Sequence, residues 1–190
     1  MSLSESEEYL NIITIKYRKD IEQLNKMLLN MYALSSIRYW YSRLDSFNDK
    51  SNYQESLLML EGLTTSIVIS YGRIFQSGNG ATTLSRSIIP AELRKVHDYI
   101  LLLRNKKYAH HEKHNSIEAK IELKYVDSTI SVDANIQMVF CWGAPREWKP
   151  LFKWLDEYFY TNIHKQLDRL TNMTGVRWDI PNIEKPYWID

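Results

Sequence analysis

Pro90-Ala91-Glu92-Leu93-Arg94-Lys95-Val96-His97-Asp98-Tyr99-Ile100-Leu101-Leu102-Leu103 runs directly into Arg104-Asn105-Lys106-Lys107-Tyr108-Ala109-His110-His111, and the fold of this chain turns on that junction. Leu93, Val96, Ile100 and Leu103 recur three or four residues apart, which places them on one face of a helix. Pro90 suits the first turn, because the amide it lacks has no partner there anyway. The apolar face then meets an arginine, an amide and a pair of histidines. On an ideal helix, side chains seven apart lie about 20° from each other and six apart about 120°. Arg104 therefore shares a face with His111, Tyr108 and Leu101. His110 joins it only if the helix tightens or ends between them, and the polar run Glu112-Lys113-His114-Asn115 suits such an ending. His97, two turns before Arg104 on the same face, reads as a partly buried structural histidine.

Upstream, Ser4 and Glu7 have the spacing of a capping box. Leu10, Ile13, Tyr17, Ile21, Leu24, Leu28 and Met31 follow at alternating spacings of three and four, the mark of an amphipathic helix. The pattern continues through Leu34, Ile37, Trp40, Tyr41 and Leu44, with Ser35-Ser36 as the candidate break, and Asp45 to Asn52 reads as a polar loop. A second helix is expected from near Ser51, whose spacing to Gln54 again fits a capping box. Its stripe is Leu57, Leu60, Thr64, Ile67, Tyr71 and Ile74, and it stops at Ser77-Gly78-Asn79-Gly80, where glycines allow a helix terminus or turn.

After His111 the period changes. Ile117, Ala119, Ile121, Leu123 and Tyr125 alternate with Glu118, Lys120, Glu122 and Lys124. Ile130, Val132, Ala134, Ile136, Met138 and Phe140 do the same with polar partners. Two alternating runs around Asp127-Ser128 predict an antiparallel hairpin with one buried face. Trp142-Gly143-Ala144-Pro145 ends the second strand. A last helix carries Phe152, Leu155, Phe159, Ile163, Leu167 and Leu170 on one side and ends at Thr174-Gly175, leaving a tail with Pro181 and Pro186. The expected fold is mainly α, an antiparallel helical bundle with an inserted two-stranded antiparallel β-hairpin. Residues 1–190 read as one helical domain, with the hairpin at about 117–140 and the tail at about 175–190.

Thirteen tyrosines, six tryptophans and an apolar content of 44% suffice for a sizeable core, so the composition is not that of a disordered chain. A net charge of +1 gives no global field for nucleic acid or acidic membranes. The charge is uneven, however: from Arg86 to Lys124 nine Lys/Arg face five Asp/Glu, and four of the five histidines lie there. That pattern suits a small basic site rather than a wide DNA-wrapping face. The single cysteine, Cys141, excludes an internal disulfide and any multi-cysteine metal site, and reads as a small buried hydrophobe. No apolar run approaches the roughly 20 residues of a membrane span. The polar, acidic N-terminus is unlike a signal peptide, so the expected compartment is the cytoplasm, without membrane contact.

The chemistry available to the Arg104 cluster is specific. A neutral histidine, with an ordinary pKa of about 6.5, can accept the proton of a ribose 2′-hydroxyl, whose oxygen then attacks the adjacent phosphorus. Arginine offers several donors to the phosphate oxygens and stabilises the charge that builds in the transition state. Asn105 can hold a phosphate, ribose or base through its amide. The nucleophile belongs to the substrate, so no cofactor and no metal is expected.

An arginine, a polar residue directly after it, and a histidine beyond a short spacer, late in a helix of a bundle, resemble the signature of the HEPN superfamily. That signature is arginine, four to six residues, then histidine. Arg104 to His110 has five intervening residues and Arg104 to His111 has six, so both fit. The surrounding Leu102 to His110 and the upstream Tyr71-Gly72-Arg73-Ile74-Phe75 also resemble HEPN-like bacterial proteins, over about residues 55 to 115. The hairpin and tail lie outside the minimal family pattern. The resemblance implies a four- or five-helix bundle that forms a homodimer, in which two such motifs face each other across one RNA-binding cleft. It also implies a metal-independent endoribonuclease of a toxin–antitoxin, antiphage or RNA-processing system, with a cognate toxin or antitoxin as a partner. The other class in the family is a non-catalytic nucleotide- or RNA-binding, antitoxin or regulatory protein. By the resemblance, Arg104, Asn105 and His110 are the catalytic candidates, with His111 as substitute for His110. Arg73, Tyr71, Lys107 and Tyr108 are the candidate substrate contacts.

Plainer readings stand beside these. Arg104 can be a surface arginine paired with Asp98 or Glu112, and the histidines a solvated helix end, where imidazolium suits the negative dipole end. His110 and His114, four apart, could chelate zinc on a continuing helix, although only Glu112 offers a further ligand. Tyr71 can pack in the core and Arg73 lie in solvent. The glycine loop lacks a Walker lysine and reads as a turn. Trp142, Trp148, Trp154, Tyr158, Phe159 and Tyr160 read as core or dimer interface rather than a base-stacking set, and His164 as a surface residue.

Overall fold

The computed structural model of the chain describes residues 3–47, 53–75, 83–108, 117–126, 129–138 and 144–180. Helices α1 (Leu3–Lys16), α2 (Arg18–Asp45), α3 (Tyr53–Phe75), α4 (Arg94–Leu103) and α5 (Lys149–Thr174) dominate it. Strands β1 (Ile117–Val126) and β2 (Thr129–Met138) form one antiparallel sheet. Short 3₁₀ turns at Arg86–Ile88, Ala91–Leu93 and Arg146–Trp148 lead into the later helices.

Side-chain bonds set the directions of the helices. Tyr17 Oη donates to the Met173 carbonyl, Gln166 Nε2 to the Asp20 carbonyl, and Arg38 pairs with Asp156. Ascending numbers in α1 and α2 meet descending numbers in α5, so α2 and α5 are antiparallel. Tyr71 meets His97 and Glu61 meets Lys107, which makes α3 and α4 antiparallel by the same logic.

The periodic apolar positions form a single core. Leu34, Ile37, Ile67, Tyr71, Ile74, Ile100, Leu151, Phe152, Leu155 and Phe159 are buried together. Each such side chain contributes about 1.5–3 kcal/mol of burial free energy. The six residues of the last-helix stripe are all buried. Gly175 closes α5 with φ of 72° and donates its amide to the Thr171 carbonyl at 2.9 Å, as a left-handed helix cap should.

Several expectations change. The first helix breaks at Tyr17 and not at Ser35-Ser36. Tyr17 has φ −109° and ψ 23°, and its hydroxyl reaches the Met173 carbonyl at 2.8 Å. Tyr9 reaches the Thr174 carbonyl as well, so two tyrosines serve carbonyls of the last α5 turn that lack helical partners. Ser35 and Ser36 instead return their hydroxyls to the Met31 and Tyr32 carbonyls one turn back, and α2 runs through them. Side chains at the proposed Ser4 and Ser51 caps lie outside the described residues. Pro90 sits ahead of the 3₁₀ turn rather than inside a first α-turn, with its carbonyl accepting from Leu93 at 2.9 Å.

Residues Glu55–Phe75 of α3 are, by length and composition, long and apolar enough to cross a membrane, against the expectation that no run is. In this fold the stripe Thr64, Ile67, Tyr71 and Ile74 of that helix lies in the bundle core.

The hairpin forms with Val126 opposite Thr129, and the expected Asp127-Ser128 turn lies outside the described residues. Its apolar face is exposed at the turn-proximal positions that are described: Leu123 is 67% exposed, Tyr125 73%, Ile130 65% and Val132 59%. Alternation sets which residues share a face. Whether that face is covered depends on a neighbouring layer, and the described bundle places none there.

Candidate functional site

The Arg104 to Tyr108 segment continues α4 as a π-helical turn rather than an α-turn. Such turns carry i→i+5 bonds and are frequent at functional sites. The face-sharing of Arg104 with His111, Tyr108 and Leu101 assumed 3.6 residues per turn, and a π turn does not keep that phase. His110, His111 and the metal-site alternative of His110, Glu112 and His114 lie outside the described residues. Among the described residues no group of three or more His, Cys, Asp or Glu could hold a metal ion.

Arg104 is positioned by α3. Glu61 and Gly72 are eleven residues apart, three turns of helix, and so share a stripe with Val68. That stripe faces the π turn. Arg104 lies against Gly72 at its upper end, where a Cβ built on the glycine would stand 3.0 Å from Arg104 Cγ, 3.4 Å from Cδ and 3.5 Å from Nε. At the other end, Lys107 Nζ pairs with Glu61 Oε1 at 2.7 Å, with the lysine side chain only 5% exposed. Helical side chains lean toward their own N-terminus, which is why Arg104 reaches back to the later α3 residue.

The guanidinium of Arg104 donates from Nη1 to Asn105 Oδ1 at 2.9 Å, and the residue is half-buried. Among the described residues it pairs with no carboxylate. Asp98, one of its two expected carboxylates, is taken by Arg86 through two bonds of 2.7 Å, and the other, Glu112, lies outside the described residues. The Arg86 bond holds the Asp98 carboxyl below its usual range and the Arg86 guanidinium above its own. The pair of an oriented arginine and an amide can therefore offer donors to an anion without first giving up an internal ion pair.

The other expected contacts separate. Tyr71 is fully buried, so its ring is not available to stack on a base. Its hydroxyl lies 2.6 Å from His97 Nδ1, so it orients a histidine within the core. Burial pushes the Tyr71 hydroxyl up, with Asp98 adding to the effect, and pushes the His97 imidazole down, partly offset by Asp98. His97, 2% exposed and edge-on to Phe75 at 4.5 Å, is the structural histidine expected. Lys107 is held by Glu61, and its ammonium also sits 4.9 Å from the Tyr108 ring, which packs partly buried against the core. Arg73, one residue past Gly72, is exposed.

Of the aromatic set, Trp148 and Phe159 are core, and Trp154 and Tyr158 stack at 5.4 Å partly buried beside it. Tyr160 contacts His164, which is exposed, and Trp142 lies outside the described residues. Glu61 and Gly72 were absent from the expected site. The three-turn spacing that joins them was present in the sequence, but nothing there says which face of the helix meets Arg104.

A cavity of about 700 Å³ lies elsewhere, lined by Tyr39, Trp40, Arg43, Phe47, Met59 and Leu63. Met59 and Leu63 are four apart and share a face, and Glu61 midway between them points to the other side of α3. The cavity and the Arg104 turn therefore lie on opposite sides of that helix.

No protein-family model, no curated protein and no solved structure matches this chain.

Proposed function

We propose that this chain is a HEPN-like, metal-independent endoribonuclease that acts as a homodimer. One observation carries the reading: Arg104 is seated on Gly72, oriented by Asn105, and is not spent on a described carboxylate. His110 or His111 takes the proton of a ribose 2′-hydroxyl. The 2′-oxygen bonds to phosphorus, the bond from phosphorus to the 5′-oxygen breaks, and the leaving oxygen takes a proton. Products are a 2′,3′-cyclic phosphate and a 5′-hydroxyl. Arg104 stabilises the extra negative charge on the phosphorane, worth up to about 2.7–4 kcal/mol for one well-placed donor in comparable oxyanion sites. Asn105 fixes the arginine through its carbonyl oxygen and leaves its NH₂ for the substrate.

The test is cleavage of structured and single-stranded RNA in EDTA, with end-group analysis for the cyclic phosphate. Arg104→Ala and the double variant His110→Ala/His111→Ala should abolish cleavage with the helical circular dichroism unchanged. Cleavage that survives both sets of substitutions overturns the assignment.

A second reading, a non-catalytic nucleotide- or RNA-binding, antitoxin or regulatory protein of the same class, is favoured by the internal use of Tyr71 and Lys107. It predicts RNA or nucleotide binding that is lost in Arg104→Ala, and no cleavage by the unaltered chain.

A further inference from the structure

The hairpin carries features its own chain leaves unbalanced. Among the described residues β1 and β2 pair only with each other, in a two-stranded sheet, so each presents there an outer edge of backbone donors and acceptors. A two-stranded hairpin is marginal by itself, and three or more strands with an apolar face are needed for an independently stable sheet. Leu123, Tyr125, Ile130 and Val132 all lie exposed on one face. On the other, Glu122 stands directly opposite Asp133, a like-charge pairing that opposes the hairpin. Lys124 does not relieve Glu122: its ammonium goes to Asp133 at 3.4 Å. Among the described residues Glu122 has no ion pair.

We propose that β1 docks edge to edge and antiparallel on β1 of a second copy of this chain, across a two-fold axis through position 121. The polar positions of β1 alternate in sign: Glu118, Lys120, Glu122, Lys124. Antiparallel pairing about position 121 sets 122 against 120 and 124 against 118, so each carboxylate position meets a lysine position. A parallel, in-register pairing would set like against like at every one of them. The outer edge of β2 has no such pattern, because Ser131, Asp133, Asn135 and Gln137 hold one charge and no cation. The second copy thus sets a lysine position opposite Glu122. It also turns two marginal hairpins into one four-stranded sheet, and gives Leu123 and Tyr125 same-face neighbours across the new seam. The contact is isologous, so one strand satisfies both halves.

This inference concerns the hairpin alone and does not rest on the ribonuclease reading. The experiment is the oligomeric state of the full chain by sedimentation velocity across a concentration series. The unaltered chain should dimerise. Lys124→Glu places like charges at 124 and 118 twice in each dimer, and should weaken association about tenfold. Glu118→Lys should do the same, and the swap Glu118→Lys/Lys124→Glu should restore it. In a Cys141→Ser background, Ile121→Cys, on the axis, should form a disulfide-linked dimer on mild oxidation, and Ile130→Cys, on β2, should not. A chain that stays monomeric, a dimer indifferent to Lys124→Glu, or a swap that fails to restore association each overturns the proposal. Loss of RNA cleavage with the dimer intact bears only on the ribonuclease.

Discussion

Replacing Gly72 by alanine tests whether the arginine is seated where the helix contacts place it. In the interior of a helix, alanine is favoured over glycine by about 0.8–1.0 kcal/mol. Gly62, on the same helix, has nothing within 4 Å of an added Cβ, so Gly62→Ala should give the full gain of about 1 kcal/mol. At Gly72 the new methyl would stand 3.0 Å from Arg104 Cγ, so the arginine must move by a few tenths of an ångström. A side chain pushed off its rotamer costs about 0.5–1.5 kcal/mol. The two effects nearly cancel, and Gly72→Ala should change stability by less than about 0.5 kcal/mol. Arg104→Ala removes all three contacting atoms, so in that background Gly72→Ala should recover the full gain. The double-mutant cycle should therefore show a coupling of about 1 kcal/mol. Urea titrations followed by circular dichroism measure all four states, and 1 kcal/mol corresponds to about 2–4 °C in Tm at this size. If Gly72→Ala stabilises as much as Gly62→Ala, with no coupling to Arg104, the seating is wrong. RNA cleavage gives a second readout, because a shifted guanidinium should lower kcat more than it raises KM.

Three further outcomes are expected. Arg38→Ala leaves the fully buried Asp156 without its 2.7 Å ion pair and should cost up to about 3 kcal/mol, seen as a lower urea midpoint at unchanged slope. Burial lowers the His97 pKa below its ordinary 6.5, so the unfolded chain binds the proton first; this contribution is complete above pH 6.5 and is lost as the pH falls from there through the depressed folded value. Thermal melts from pH 7.5 to 5 should show that loss, and His97→Gln should flatten the curve; an equal slope in the variant would refute the attribution. Gly175→Ala forces an L side chain to φ of 72° and should destabilise α5 by about 1 kcal/mol, whereas Gly175→Asn should cost less, as paired melting curves would show.

Much of the fold is legible in the order of residues. The α5 stripe, the core positions of α3 and the alternation of the two strands follow from periods of 3.6 and 2, which are properties of the backbone alone. The end of α5 at Gly175 follows from local chemistry in the same way. Less of the candidate site is legible. The run Tyr71-Gly72-Arg73 stands out in the sequence, yet it is the glycine that lies against Arg104, while the tyrosine is internal and the arginine faces solvent. Lys107 looks like a phosphate contact until Glu61, forty-six positions earlier, meets it from α3. The Tyr17 break, too, depends on a carbonyl of Met173 at the far end of the chain.

The sequence by itself determined the helical and hairpin regions in outline, and that an arginine and an amide follow the apolar face of Leu93 to Leu103. Those are short-range matters of spacing and conformational preference. Only the tertiary structure decided that Arg104 rests on Gly72, that Tyr71 and Lys107 have internal partners, and that Leu123, Tyr125, Ile130 and Val132 of the hairpin lie open. Each of these depends on what another segment places within a few ångströms, and periodicity along one element carries no information about its neighbour.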